Sequence, residues 1–174
     1  MTITKPTWVF GYGSLIWKQG FPYLQSRPGM ISGWTRRFWQ GSHDHRGMEH
    51  DPGRVVTLVE APGECCQGRA FLIEPRVFAH LDHRERNGYD RRSVTIQFDE
   101  GSVTGIVYRA AENNEAYLGP ASPSQMADQI NRCAGPSGAN RDYVLKLAQG
   151  LRNMGYADDH VFEVESWVLG DGVE

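Results

Sequence analysis

Residues 9–17, VFGYGSLIW, set Gly11, Gly13 and Ser14 within four positions, between apolar flanks. Glycines spaced this way let backbone N–H groups approach a bound group closely, most often an anion, because no Cβ stands in the way. Three familiar loops are excluded by single residues. A dinucleotide fingerprint needs glycine at position 16, where Ile16 stands, and a nucleophile elbow needs glycines where Tyr12 and Ile16 stand. No Gly-Lys-Ser/Thr follows, so a P-loop is excluded too. What is left is a strand running into a loop that either faces an anion or simply turns the chain.

A second centre of possible chemistry is LDHRERNGYDRR, residues 81–92. Helical patterning over residues 74–86 puts Glu85 in a last turn, just before the Asn87-Gly88 stop. The negative end of a helix disfavours a carboxylate and raises its pKa, which suits a general base working near neutral pH. The competing reading is a surface glutamate paired with Arg84 or Arg86. Histidines collect elsewhere, in SHDHRGMEHD (42–51), where His43, His45 and His50 have a spacing compatible with metal. No H-E-x-x-H occurs and both charge signs are dense there, so an internally paired loop is expected and no metal is assigned. GWTRRFWQ (33–40) interleaves Arg36 and Arg37 with Trp34, Phe38 and Trp39. Arginine among aromatics can stack on single-stranded bases. The acidic balance and the lack of a second basic patch favour a strand that buries its aromatics and exposes its arginines.

These groups must be positioned by a chain of 174 residues with net charge −3 and 40% hydrophobic residues. A domain of that size buries about 70% of its unfolded surface, enough for a core without disulfides or metals. One domain over residues 1–174 is therefore expected. Neither nucleic acid nor membrane is implied as a partner, and no apolar run approaches the length of a membrane span. The N-terminus lacks the layout of a signal peptide. Cys65, Cys66 and Cys133 have no framework spacing, which fits reduced thiols and a cytoplasmic location.

Strand patterns come mostly in hairpins. TWVFGYG (7–13) reads as a first strand. RVVTLVE (54–60) and CQGRAFLIE (66–74) flank the turn signal APGE, and RRSVTIQF (91–98) and SVTGIVYRA (102–110) flank DEG. HVFEVESWVL (160–169) alternates apolar and polar residues and reads as a half-buried strand. Helices are expected at 74–86 behind Pro75, at 122–134 with Ser122 and Gln125 as a capping box, and at 140–155 ending at Gly155. Strands in hairpins rather than in alternation with helices predict an α+β fold, a mostly antiparallel curved sheet or small barrel with packed helices.

Several motifs occur in a fixed order: VFGYGSLIWK, GFPY, GWTRRFWQGSHDHRG, GRVVTL, LDHRERNGY, YLGPAS and AGPSGANRDYVLKLAQGLRNMG. In this order, from Trp8 to Gly155, the chain resembles the ChaC-type, glutathione-specific γ-glutamylcyclotransferases. The resemblance implies that Gly11, Tyr12, Gly13, Ser14, Leu15 and Ile16 hold the γ-glutamyl head of the substrate and that Glu85 is the catalytic base. It further implies glutathione as the small-molecule substrate, 5-oxoproline and Cys-Gly as products, and no cofactor. Two departures stand out, His43 where the family more often has a hydroxyl residue, and the variant base motif RERNGY. Both leave the loop and the glutamate in place and bear on substrate preference. A relative acting on another γ-glutamyl compound, or a non-catalytic regulator of transport, are the other readings.

Overall fold

The structure, a computed structural model, describes residues 2–84 and 89–172. Five strands, β1 (Thr7–Gly11), β2 (Gln25–Ser42), β3 (Gly53–Ile73), β4 (Tyr89–Gln97) and β5 (Ser102–Ala110), form a closed barrel in the order β1-β3-β2-β4-β5. The α+β barrel expected from the hairpin pattern is therefore present. Chain contacts group residues into two compact units, one comprising 1–35 and 58–114, the other 36–57 and 115–174.

In the first unit, β1 runs antiparallel to the end of β3, from Thr7↔Ile73 to Gly11↔Arg69, and parallel to β5 through Trp8↔Gly105 and Val9↔Ile106. That parallel pairing closes the barrel, and it needs a glycine. A Cβ on Gly105 would lie 2.7 Å from the Trp8 carbonyl oxygen and 2.6 Å from Ile96 Cδ1. The hairpin at DEG forms as expected, with β4 and β5 in register from Tyr89↔Ala110 to Gln97↔Ser102. Gly101 takes φ +82° at its tip, a conformation that glycine adopts without strain. The other expected hairpin does not form. Residues 54–60 and 66–74 belong largely to one 21-residue strand, β3, that runs through Ala61-Pro62-Gly63. Gly63 takes φ +87° inside the strand, so the turn residues are absorbed as a local irregularity and long-range pairing overrides the local signal. Val9, Phe71, Ile73 and Ile106 meet Val77, Phe78 and Leu81 in one buried cluster.

The second unit carries α2 (Pro123–Arg132), a two-residue ribbon of β6 (Ala134–Gly135) and β7 (Gly138–Ala139), α3 (Asn140–Asn153) and α4 (Asp159–Val168). The capping box forms in full, with the Gln125 N–H donating to Ser122 Oγ and the Ser122 N–H donating to Gln125 Oε1. Val144, Leu147, Ala148 and Leu151 of α3 are completely buried, and Gly155 follows with φ +77°. Residues 160–169, expected as a strand, are instead helix α4. Asp158 caps it by accepting from the Val161 N–H at 3.0 Å, and Val161, Val164 and Val168 fall on one buried face at helical spacing. The same residues satisfy a period of two only in part, and packing on α2 and α3 selects the period of 3.6.

The arginines of residues 33–40 also depart from expectation. Arg36 is 1% exposed, its Nε donating to Asp158 Oδ2 at 2.9 Å, and only Arg37 is partly exposed. Nearby, the Phe38 N–H donates to His160 Nε2 at 3.0 Å, so this imidazole nitrogen must stay unprotonated. Burial, then the positive charge of Arg37, lowers the His160 pKa from 6.5 to about 4. An unfolded chain takes up the proton near pH 6.5 while the folded one refuses it. Stability from this site is thus complete above pH 6.5 and lost as pH falls toward 4, by up to about 3 kcal/mol. Urea unfolding at pH 7, 5.5 and 4.5 should show this loss in the wild type and a smaller one in His160→Gln, whose amide oxygen can still accept from Phe38. Equal pH dependence in both proteins would contradict the assignment.

Candidate active site

The loop after β1 is built by close approach. A Cβ on Gly11 would lie 2.8 Å from Leu15 Cβ and 3.2 Å from the Arg69 carbonyl oxygen, so the chain can fold back here only over glycine. Gly13 has φ −129°, outside the left-handed region, so no left-handed turn is what calls for glycine at that position. Ser14–Ile16 form a single 3-10 turn, with the Ile16 N–H donating to the Gly13 carbonyl at 3.0 Å and the Lys18 N–H to the Ser14 carbonyl at 2.7 Å. The amides that open such a turn have no acceptor within it and can face a ligand.

Burial divides the six loop residues. Gly11, Tyr12, Leu15 and Ile16 are buried, while Gly13 and Ser14 are partly exposed. Gly13 and Ser14 are thus the more open residues of the loop, and the four buried ones fix them. Leu15 does so by joining the buried cluster of β1, β3 and β5. Tyr12 does so through its hydroxyl, which donates to the Tyr108 carbonyl on β5 at 2.6 Å.

A 3-10 turn at Pro75–Val77 leads into helix α1 (Phe78–Arg84), with Val77, Phe78 and Leu81 buried as their spacing predicts. Glu85, the expected base, lies outside the described residues. The helix before it is tied down on its polar side by Asp82. The Tyr108 hydroxyl donates to Asp82 Oδ1 at 2.7 Å, and Arg91 on β4 forms a bidentate ion pair with the same carboxylate, its Nε 2.9 Å from Oδ1. Arg91 also lies 5.3 Å over the Phe78 ring. Burial, then the bond to Asp82, pushes the Tyr108 hydroxyl above its ordinary pKa, so it is a proton donor throughout the physiological range. Sequence reasoning missed Asp82, Arg91 and Tyr108 as a group, because they are brought together only by the folding of α1 onto the β4–β5 hairpin.

The histidine stretch forms separate contacts. His43 Nδ1 donates to the Glu49 carbonyl at 3.0 Å, and His45 Nδ1 is hydrogen-bonded to Ser137 Oγ at 3.0 Å. Among the described residues no group of three or more His, Cys, Asp or Glu side chains is placed to hold a metal ion. Cys65 is exposed, Cys66 and Cys133 are buried, and all three are free thiols. No helix among the described residues is long and apolar enough to cross a membrane.

Comparison with known proteins gives a consistent picture. A family model described as ChaC-like protein matches residues 7–170. A γ-glutamylcyclotransferase 2-3 of Arabidopsis thaliana is 44% identical over 92% of this chain and 87% of its own. A glutathione-specific γ-glutamylcyclotransferase 1 of Danio rerio is 41% identical over 93% of this chain and 88% of its own. Among solved structures, a yeast γ-glutamyl cyclotransferase specific to glutathione superposes with a TM-score of 0.88 over 97% of both chains, at 28% identity.

Proposed function

The chain belongs to the ChaC-like family, and we propose that it is a glutathione-specific γ-glutamylcyclotransferase. The observation that carries the reading is 39–41% identity over 88–93% of this chain to vertebrate relatives bearing that name. It is supported by a loop whose two exposed residues, Gly13 and Ser14, are set by buried neighbours.

In this reaction the substrate's α-amine attacks its own γ-carbonyl. A C–N bond forms to close a five-membered lactam, and the C–N bond to the cysteinyl amine breaks. The α-ammonium gives up two protons over the cycle and the departing amine of Cys-Gly gains two, so atoms balance without a co-reactant. Glu85, as a carboxylate, takes protons from the amine and returns them to the leaving group. Because both reacting groups belong to one molecule, the enzyme's main task is to hold the folded-back conformer. Gly13, Ser14 and the amides beside them bind the γ-glutamyl head, whose carboxylate or developing oxyanion they can meet with N–H and O–H donors. The family model spans both compact units, which supports one functional domain. We place the reaction in the cytoplasm, where three thiols without framework spacing stay reduced.

Purified enzyme should release 5-oxoproline from glutathione with a kcat/KM about tenfold or more above that for γ-Glu-Ala, since a site built for the Cys-Gly portion loses those contacts with the shorter substrate. Equal use of both would make it a general γ-glutamyl cyclotransferase. Release from neither would remove the activity altogether.

A further inference from the structure

The loop and α1 are held by the same residue. Tyr108 accepts at its backbone carbonyl from the Tyr12 hydroxyl, 2.6 Å away, and donates from its own hydroxyl to Asp82, 2.7 Å away. It is 5% exposed and belongs to the buried cluster that includes Leu15 of the loop and Phe78 and Leu81 of the helix. It sits on β5, whose neighbours β1 and β4 carry the start of the loop and Arg91. The backbone of a paired barrel strand is the most rigid support available to either element. Arg91 holds the second oxygen of Asp82, so the carboxylate has little freedom to follow a displaced helix.

We infer that Tyr108 is a positioning residue that sets the separation between the substrate-holding loop and the helix leading to the catalytic glutamate, through two chemically separate bonds. Its carbonyl fixes the loop by way of Tyr12, and its hydroxyl fixes α1 by way of Asp82. The inference rests on the reading of the loop and Glu85 given above. Neither role requires contact with the reacting atoms. They act on geometry, and misplacement of a catalytic group by about 1 Å is enough to cost about 10² in rate.

The two bonds can be cut separately with one-oxygen changes. Tyr108→Phe keeps the carbonyl and the buried ring and removes the hydroxyl, with its bonds to Asp82 of the helix and to Arg91, the arginine that holds the same carboxylate. It should lower kcat for glutathione about 10- to 100-fold with KM within about twofold of wild type. Tyr12→Phe removes only the tie to the loop and should raise KM about fivefold or more, with a smaller change in kcat. A packing role alone would lower the melting temperature of both variants and leave kcat and KM of the folded fraction unchanged, and that outcome overturns the inference. So does a pattern in which both variants change kcat and KM in the same proportion. Glu85→Gln, assayed beside them, separates the two readings. If it retains wild-type turnover, the assignment of the base fails, whereas loss of turnover in Glu85→Gln with wild-type kinetics in both tyrosine variants defeats the positioning role alone.

Discussion

Glu85→Gln should reduce turnover of glutathione about 10²–10⁴-fold, the range lost when a positioned general base is removed. The substitution keeps the size of the side chain and its capacity to hydrogen-bond, so folding and substrate affinity should persist. Retained binding makes the result diagnostic, since a variant that binds glutathione normally and fails to release 5-oxoproline has lost a proton-transfer step. Turnover near the wild-type rate would take Glu85 out of the mechanism, and would direct attention to Asp82, the carboxylate of α1 that bonds to Arg91 of β4 and Tyr108 of β5.

How much of this was legible in the sequence depends on whether the signal is local. The capping box of Ser122 and Gln125 and the glycine-tipped β4–β5 hairpin are written in adjacent residues, and each forms as expected. The loop at residues 11–16 was visible as a candidate from its glycines alone. That Gly13 and Ser14 are its more open residues was not, because Tyr12 is held by a bond to β5 and Leu15 packs into a cluster drawn from β1, β3 and β5. The two misread elements failed for one reason: a local pattern met a stronger distant constraint. Ala61-Pro62-Gly63 is a turn signal, but β3 continues through it as a barrel strand between β1 and β2. Residues 160–169 alternate well enough to suggest a strand. Asp158 supplies a cap, however, and α2 and α3 supply a surface that rewards the helical spacing of Val161, Val164 and Val168. Arg36 was expected outside because arginine usually is. Its partner, Asp158, is 122 positions away in the chain, and nothing near Arg36 announces it.

That pair carries the second large expected effect. Asp158 has two tasks on its two oxygens, accepting the Val161 N–H at Oδ1 as the cap of α4 and facing Arg36 Nε from Oδ2 at 2.9 Å. The Arg36 side chain is completely buried and that of Asp158 is 16% exposed, so solvent screens this pair poorly. Asp158→Ala removes the cap, worth about 1 kcal/mol. It also takes from a buried guanidinium the carboxylate that faces its Nε, which costs about 3–5 kcal/mol. The two losses share one side chain and will not add in full, so the expected destabilisation is about 3–5 kcal/mol in urea unfolding. Asp158→Ser separates the tasks, because serine caps a helix as well as aspartate but brings no charge. It should recover the capping share, about 1 kcal/mol, and leave most of the deficit. Adding Arg36→Met to Asp158→Ser should then restore stability, since an apolar chain of similar length has no charge to leave uncompensated. A double variant less stable than Asp158→Ser would mean that Arg36 is held chiefly by its packing and its other contacts, and the carboxylate would be left with the cap alone.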